Sequence, residues 1–346
     1  MIDYKKLIKD NFLGINDSTL REGEQFNASE FTLKDQIEIL KLQSEIGVDT
    51  VEVGNPIVSE IRKDVLVLGR IKDRPLMMCH IRNRADDLKA VLGLGVEGVH
   101  ILCTVDPTRL ESMHLSLEAH IEIMLSNIAM AKEGGLIVRV SVEHGLEERF
   151  LVDAMKILKT AENLKVDRVQ IADTRGVLLP WEIGEIIKKL RTEIKVPIGV
   201  HLHNDLGHSV INALEALGYG ANWVDTSLLG IGERSGITPL SSLLVNLKGV
   251  GIEKIERYDL ESLTRAETDM ARIIGISVPH NLITSKTAFS HKAGVHINGL
   301  IKQGSETYEA INPDVVGNTR ILVTNSRISG KSKNMKSYKF ESVVAP

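Results

Sequence analysis

Cysteine is nearly missing from this 346-residue chain: Cys79 and Cys103 are the two it has, each inside an apolar run and neither at a metal-ligand spacing. Such a pair suits a reducing compartment better than a disulfide framework. Aromatic residues make up 4% of the chain, and charge is almost balanced at a formal net of -4, which gives no sign of a nucleic-acid partner. No stretch approaches the roughly 18 apolar residues of a membrane span. The N-terminal MIDYKKLIKDNF lacks the apolar core of a signal peptide. A cytoplasmic protein is expected, with neither nucleic-acid nor membrane partner. Two nucleotide-binding signals also fail. Gly93 to Gly98 satisfies GxGxxG but precedes a strand, where a dinucleotide fingerprint must follow one, so it is a helix-to-strand turn. Gly330-Lys331-Ser332 has Asn325 where a phosphate loop needs glycine.

What is present is enough for a sizeable core, with 43% hydrophobic and 25% charged residues. Short β-branched runs recur at residues 13–19, 49–54, 75–81, 98–105, 136–144, 168–174, 198–205 and 222–230. Helical patterns lie between them. In TLKDQIEILKLQSEIG, residues 32–47, the apolar positions Ile37, Leu40, Leu42 and Ile46 fall near a 3.6-residue period, and Gly47 stops the helix. Eight strands alternating with helices predict a (β/α)8 TIM barrel over residues 1–275; a doubly wound sheet rarely shows eight consecutive units this regular. After about residue 275 the rhythm fails and no clear strand appears. Residues 276–346 form a smaller appended region whose last, basic stretch is expected to be poorly ordered.

Barrel enzymes carry their chemistry at the C-terminal ends of the strands. That rim is where NDSTLREGEQF, residues 16–26, concentrates Asp17, Arg21, Glu22, Glu24 and Gln25. Burying such charges costs several kcal/mol unless they are paired or bound to a cation, so the cluster is either a solvated loop or a site. Glu24 and Glu30 read as solvated loop. Strand three ends in His80, strand five carries Arg139, Ser141 and Glu143, strand six ends in Asp173-Thr174, and strand eight runs into GIGERSG with Glu233 and Arg234. His201-Leu-His203 places two imidazoles at i and i+2, on one side of a strand, where both reach one metal ion. With Asp17 they leave open positions for substrate oxygens. Mixed nitrogen and oxygen ligation suits Mn²⁺, Zn²⁺, Fe²⁺ or Mg²⁺ alike.

Four ordered segments, NDSTLREGEQ, HLHND, GIGERSGITPL and AFSHKAGVH, together resemble the acyl-CoA-condensing branch of the metal-dependent lyase-type barrels: isopropylmalate, citramalate and homocitrate synthases. The likeness extends from about residue 13 to 331, and GERSGITPL and SHKAGVH look most like homocitrate synthase. It implies condensation of acetyl-CoA with a 2-oxo acid, foremost 2-oxoglutarate, on a divalent metal such as Mg, Mn or Zn, as in lysine biosynthesis. It also implies metal ligands among Asp17, Glu22, His201 and His203. Arg21 would polarise the keto group beside Gln25; His80, Arg139, Ser141 and Thr174 would hold the distal carboxylate. Glu233, His296 and Tyr308 resemble the family's catalytic set, with His291 a lower-ranked candidate. Because the histidine and tyrosine come from the partner subunit in that family, a homodimer with exchanged C-terminal regions is implied. The chain departs from the pattern in Ser141-Val142-Glu143-His144 and in Arg175 of ADTRG, which adds charge near the mouth. Rival expectations are the same chemistry on oxaloacetate, pyruvate or 2-oxoisovalerate, an aldolase or lyase of the superfamily, and an inactive regulatory barrel.

Overall fold

The computed structural model describes residues 4–324 and 327–329; the appended region's last stretch, expected to be poorly ordered, lies outside them. Eight parallel strands close a barrel in sequence order. They are β1 (Gly14–Asp17), β2 (Thr50–Val53), β3 (Leu76–Arg82), β4 (Gly98–Thr104), β5 (Ile137–Glu143), β6 (Arg168–Asp173), β7 (Ile198–Leu202) and β8 (Trp223–Thr226). β8 pairs back onto β1, with Asn16 opposite Asp225. Each expected strand is present, and the TIM barrel stands.

Alternation along the strands explains both layers of the core. Ile15, Val51, Val53, Met77, Cys79, Ile81, Val99, Ile101, Val138, Val140, Val169, Ile171, Val200 and Val224 are all buried. Removing an aliphatic side chain of this kind from water stabilises the fold by about 1.5–3 kcal/mol. The intervening positions point the other way. Asn16, Glu52, His100, Arg139, Gln170 and Asp225 hydrogen-bond to one another across the barrel, so they fill its interior. The inside of this barrel is therefore a charged network.

Helices close the outer ring where the sequence asks for them. Thr32 and Asp35 form a reciprocal cap at the start of the helix Leu33–Ile46, and Gly47 ends it in the left-handed region at φ 83°. Gly93 to Gly98 joins the helix Ala85–Val91 to β4, a helix-to-strand turn as expected. Among the described residues no helix is long and apolar enough to cross a membrane.

The chain divides into two compact units between Arg257 and Tyr258. In the second unit, helix Leu263–Ile273 is followed by β9 (Ser290–His291), helix Gly294–Gln303 and β10 (Ile321–Leu322). β9 and β10 pair in parallel. Two residues are too short to show a period, which is why the sequence gives no sign of these strands. Ile297, Leu300 and Leu322 form this unit's small apolar cluster.

Candidate active site at the barrel mouth

Glu22, His201 and His203 meet at the mouth. Each offers one ligand atom, and the three atoms lie within 4.8 Å of one another. The histidines stand at alternate positions on and just past β7, with ring centroids 5.1 Å apart. Their tautomers are set from behind. His201 Nδ1 lies 3.0 Å from Asp225 Oδ2, and His203 Nδ1 lies 3.2 Å from the Gly236 carbonyl oxygen. Both outer atoms are acceptors, so Nδ1 of each ring is the donor and Nε2 is the nitrogen left for a ligand. A carboxylate or carbonyl behind a ligating imidazole is the usual support of a metal site.

Glu22 is held just as closely. Glu233 N donates to Glu22 Oε1 at 3.0 Å, Arg21 pairs with the other oxygen, and the Gln25 amide, assigned with its nitrogen toward Glu22, donates to both oxygens at 3.2 Å. Gly232 permits the approach, since a Cβ there would lie 2.8 Å from Glu22 Cγ. Burial alone would raise the Glu22 carboxyl, but the charges of Arg21, His201 and His203 outweigh it and hold it at about 2. Burial, reinforced by His201, brings His203 down to about 4. At neutral pH the carboxylate is ionised and that imidazole neutral, the forms a divalent cation requires. One carboxylate and two imidazoles are a donor set that fits such an ion.

Two turns hold this cluster. Gly236 has φ 76°, and a Cβ on it would run into the Gly230 carbonyl. Gly236→Ala is expected to lower stability by about 1–3 kcal/mol in chemical denaturation and to weaken metal binding through His203; wild-type values for both would contradict this. Arg234, at φ 58°, is fixed by Asp205 and by the Thr174 carbonyl. Asp225→Asn removes the charge behind His201 and is expected to weaken metal binding about 10–100-fold in a titration, where a change under twofold would contradict the support role.

The structure does not bring Asp17 to this cluster. Asn16 faces the barrel interior, so Asp17 alternates outward, against the helix Leu33–Ile46. Its Oδ1 accepts from Thr19 Oγ1 at 2.6 Å and Gln43 Nε2 at 2.5 Å, and its Oδ2 from Thr226 at 3.1 Å. Burial raises its pKa, against those donors. Asp17 is thus a fully bonded group in the wall, and Glu22 stands where the sequence reading gave Asp17 a place. Glu24 and Glu30 are exposed, as expected.

The expected carboxylate-holding residues are placed unequally. His80 is partly open, with Nδ1 3.5 Å from Glu52 Oε1, and its ring stacks on His100 at 4.5 Å. Arg139 is wholly buried, paired with Glu52 and, at 3.1 Å, with Asp225. Ser141 Oγ lies 2.5 Å from His100 Nε2, and Thr174 Oγ1 accepts from His144 N at 2.8 Å. Of the expected catalytic set, Glu233 is exposed at the mouth. In the second unit His296 and Tyr308 stack at 4.0 Å, and His291 Nε2 lies 3.1 Å from Glu309, which also pairs with Arg320.

Three interior residues escaped the sequence reading: Glu52, His100 and Asp225. Each is a single ionisable group between apolar neighbours, in TVEV, VHIL and WVDT. That pattern is the signal that was available. Glu52, His80 and His100 also lie within 4.8 Å of one another. Glu52, however, already accepts from Arg21 Nε, Ser18, His100 and Arg139. Two guanidinium groups occupy the place a cation would take.

A family model described as HMGL-like matches residues 13–270, and one described as homocitrate synthase post-HMGL domain-like matches residues 283–339. The chain is 36% identical over 324 residues to a mitochondrial homocitrate synthase of Schizosaccharomyces pombe, covering 92% of this chain and 77% of that one. It is 33% identical over 333 residues to an (R)-citramalate synthase of Methanocaldococcus jannaschii, covering 94% and 66%. Among solved structures, a hydroxymethylglutaryl-CoA lyase from Pseudomonas aeruginosa superposes with a TM-score of 0.68 at 19% identity, over 78% of this chain and 95% of that chain. At that identity the likeness speaks for the barrel alone.

Proposed function

The chain belongs to the HMGL-like family, in the condensing branch that carries a homocitrate synthase post-HMGL region, and from that premise we propose that it joins acetyl-CoA to 2-oxoglutarate, releasing CoA and homocitrate. The observation that carries the reading is the Glu22, His201 and His203 cluster with Arg21 beside it. A divalent ion there, Mg, Mn or Zn, would chelate the acid's carboxylate and keto oxygens and draw electron density from the carbonyl. Asp17 is left out of the ligand set.

The rest of the work falls to the chain's own groups. Arg21 binds Glu52 through Nε and Glu22 through Nη1, which leaves Nη2 to donate to the oxyanion that develops on attack. Gln25 steadies Glu22, and His80, Ser141 and Thr174 are the groups proposed to face the distal end of the acid. Arg139 supplies positive charge beneath that floor. Removal of a methyl proton from acetyl-CoA calls for a base near the thioester. Glu233 at the mouth, with His296 and Tyr308 contributed by the second copy of a homodimer, is the set proposed for it. The new carbon–carbon bond forms between that methyl carbon and the keto carbon, and water then cleaves the thioester. In this division of labour residues 1–275 bind metal and acceptor, and 276–346 form the exchanged region. The two buried free cysteines support a cytoplasmic, reducing setting.

A second reading, pyruvate as acceptor, is favoured by the likeness to the citramalate synthase. The test is free-thiol release from acetyl-CoA with Mg²⁺ or Mn²⁺ against 2-oxoglutarate, oxaloacetate, pyruvate and 2-oxoisovalerate. Selective turnover of 2-oxoglutarate is expected. Turnover of another acid reassigns the acceptor, and silence from folded, metal-loaded protein sinks the condensation.

A further inference from the structure

His296 and Tyr308 belong to different segments of the second unit, and three neighbouring residues bring them together. Helix Gly294–Gln303 carries His296, and Gly299 stands three positions on, on the same face of that helix. Gly304, at φ 91°, ends the helix, and the turn Ser305–Thr307 leads the chain back to Tyr308. The Tyr308 ring stacks on His296 with centroids 4.0 Å apart and planes 12° from parallel. Its edge occupies the space of a missing side chain: a Cβ on Gly299 would lie 2.5 Å from Tyr308 Cε2 and 3.2 Å from Cδ2. Glycine in a helix interior is less stable than alanine, and here the tyrosine ring takes the room a methyl group would need.

The next residue is tied down from two sides. Glu309 accepts from Arg320 through both oxygens, Nε to Oε1 and Nη2 to Oε2, each at 2.6 Å, and its Oε1 lies 3.1 Å from His291 Nε2. The Glu309 side chain is 2% exposed. Arg320 directly precedes β10, His291 ends β9, and those strands pair. A forked guanidinium on a carboxylate is the strong, directional form of an ion pair. It fixes the backbone beside Tyr308 to the small sheet. Tyr308 itself is 40% exposed, so this anchoring leaves part of the ring accessible.

We propose that Gly299, Glu309 and Arg320 are positioning residues, Gly299 as the seat of the Tyr308 ring and the Glu309–Arg320 pair as its anchor, which hold Tyr308 against His296 for proton removal from the acetyl-CoA methyl. The proposal rests on the condensing reading above and adds to it the residues that set the geometry of the pair. A Cβ at 2.5 Å is about 1 Å short of ordinary contact, so alanine at Gly299 displaces the ring by that order. Misplacement by about 1 Å costs up to about a hundredfold in rate.

The experiment uses the full chain loaded with Mg²⁺ and has two readouts, the nuclear magnetic resonance of isotope-labelled histidine and thiol release. The His296 ring signal, identified by its absence from His296→Gln, is expected upfield in wild type from the ring current of Tyr308. Gly299→Ala and Arg320→Ala are expected to lose that displacement. In both, kcat is expected to fall about tenfold or more, with KM for 2-oxoglutarate within about twofold of wild type. Arg320→Lys should keep part of the signal and of the rate, since one ammonium does not grip both oxygens. Gly299→Ala guards against a folding defect, because alanine is the better helix former. A purely structural role would lower the rate of Arg320→Ala through loss of folded protein and leave Gly299→Ala at the wild-type rate. A wild-type signal without the upfield displacement, an unchanged signal in either folded variant, or wild-type kcat in folded Gly299→Ala overturns the proposal. No thiol release from wild type would instead overturn the condensing reading, with the His296 signal then deciding whether seat and anchor hold the pair.

Discussion

His203→Ala is expected to abolish metal-dependent turnover, with thiol release falling about a thousandfold or more. In the turn after β8 the Gly236 carbonyl holds Nδ1 of His203 and leaves Nε2 for the cluster with Glu22 and His201. Alanine leaves two protein ligands where three converged. Electrophilic activation by a metal supplies several kcal/mol of transition-state stabilisation, and each 1.36 kcal/mol is a factor of ten in rate. The variant should still fold, because His203 lies at the rim and the cost is confined to one hydrogen bond. Thiol release and metal content are the measurements. Retention of most activity in folded protein would remove His203 from the site.

Arg139→Ala is expected to act first on stability, lowering the free energy of unfolding by about 3–5 kcal/mol. The guanidinium sits between Glu52 and Asp225, all three shielded from water. Removing it leaves two buried carboxylates short of their partner, and breaking a buried pair from one side is the costly case. Burial raises the Asp225 carboxyl, yet Arg139 and His201 more than offset this and hold it well below the usual carboxylate range. A carboxyl with a depressed pKa contributes stability that is present above its unfolded value near 4 and is lost as pH falls through the folded value. The Asp225 contribution therefore persists at neutral pH and is surrendered only in strong acid. Arg139→Lys should recover only part of the loss, since one ammonium does not reproduce a fork that reaches both carboxylates. Chemical denaturation decides the matter. Wild-type stability with only a raised KM for the acid would return Arg139 to direct substrate contact.

The barrel was legible because its outer strand faces are nearly continuous β-branched runs, and because each helix between them has a period and a stop such as Gly47. The two histidines of HLH were legible for the same reason: alternate residues share a side. Asp17 was misplaced because the end of a strand says nothing about which face its last residue takes. Asn16 settled that by turning inward to Asp225. The interior network was harder to see. Glu52, His100 and Asp225 come from β2, β4 and β8, far apart in sequence, and only barrel closure makes them neighbours. The burial of Arg139 is a consequence of that closure and of one neighbouring side chain, His100, neither of which is visible in VRVS.

The most direct test of the account is a Mn²⁺ titration of wild-type protein and of Glu22→Gln, followed by calorimetry or by the electron paramagnetic resonance of free Mn²⁺. One ion per chain is predicted for wild type, and a loss of affinity of about a hundredfold or more for the folded variant, since the carboxylate that closes the His201 and His203 pair has lost its charge. Binding that is absent from wild type, or equally tight in Glu22→Gln, would contradict a metal at this cluster and with it the chemistry assigned to the barrel mouth.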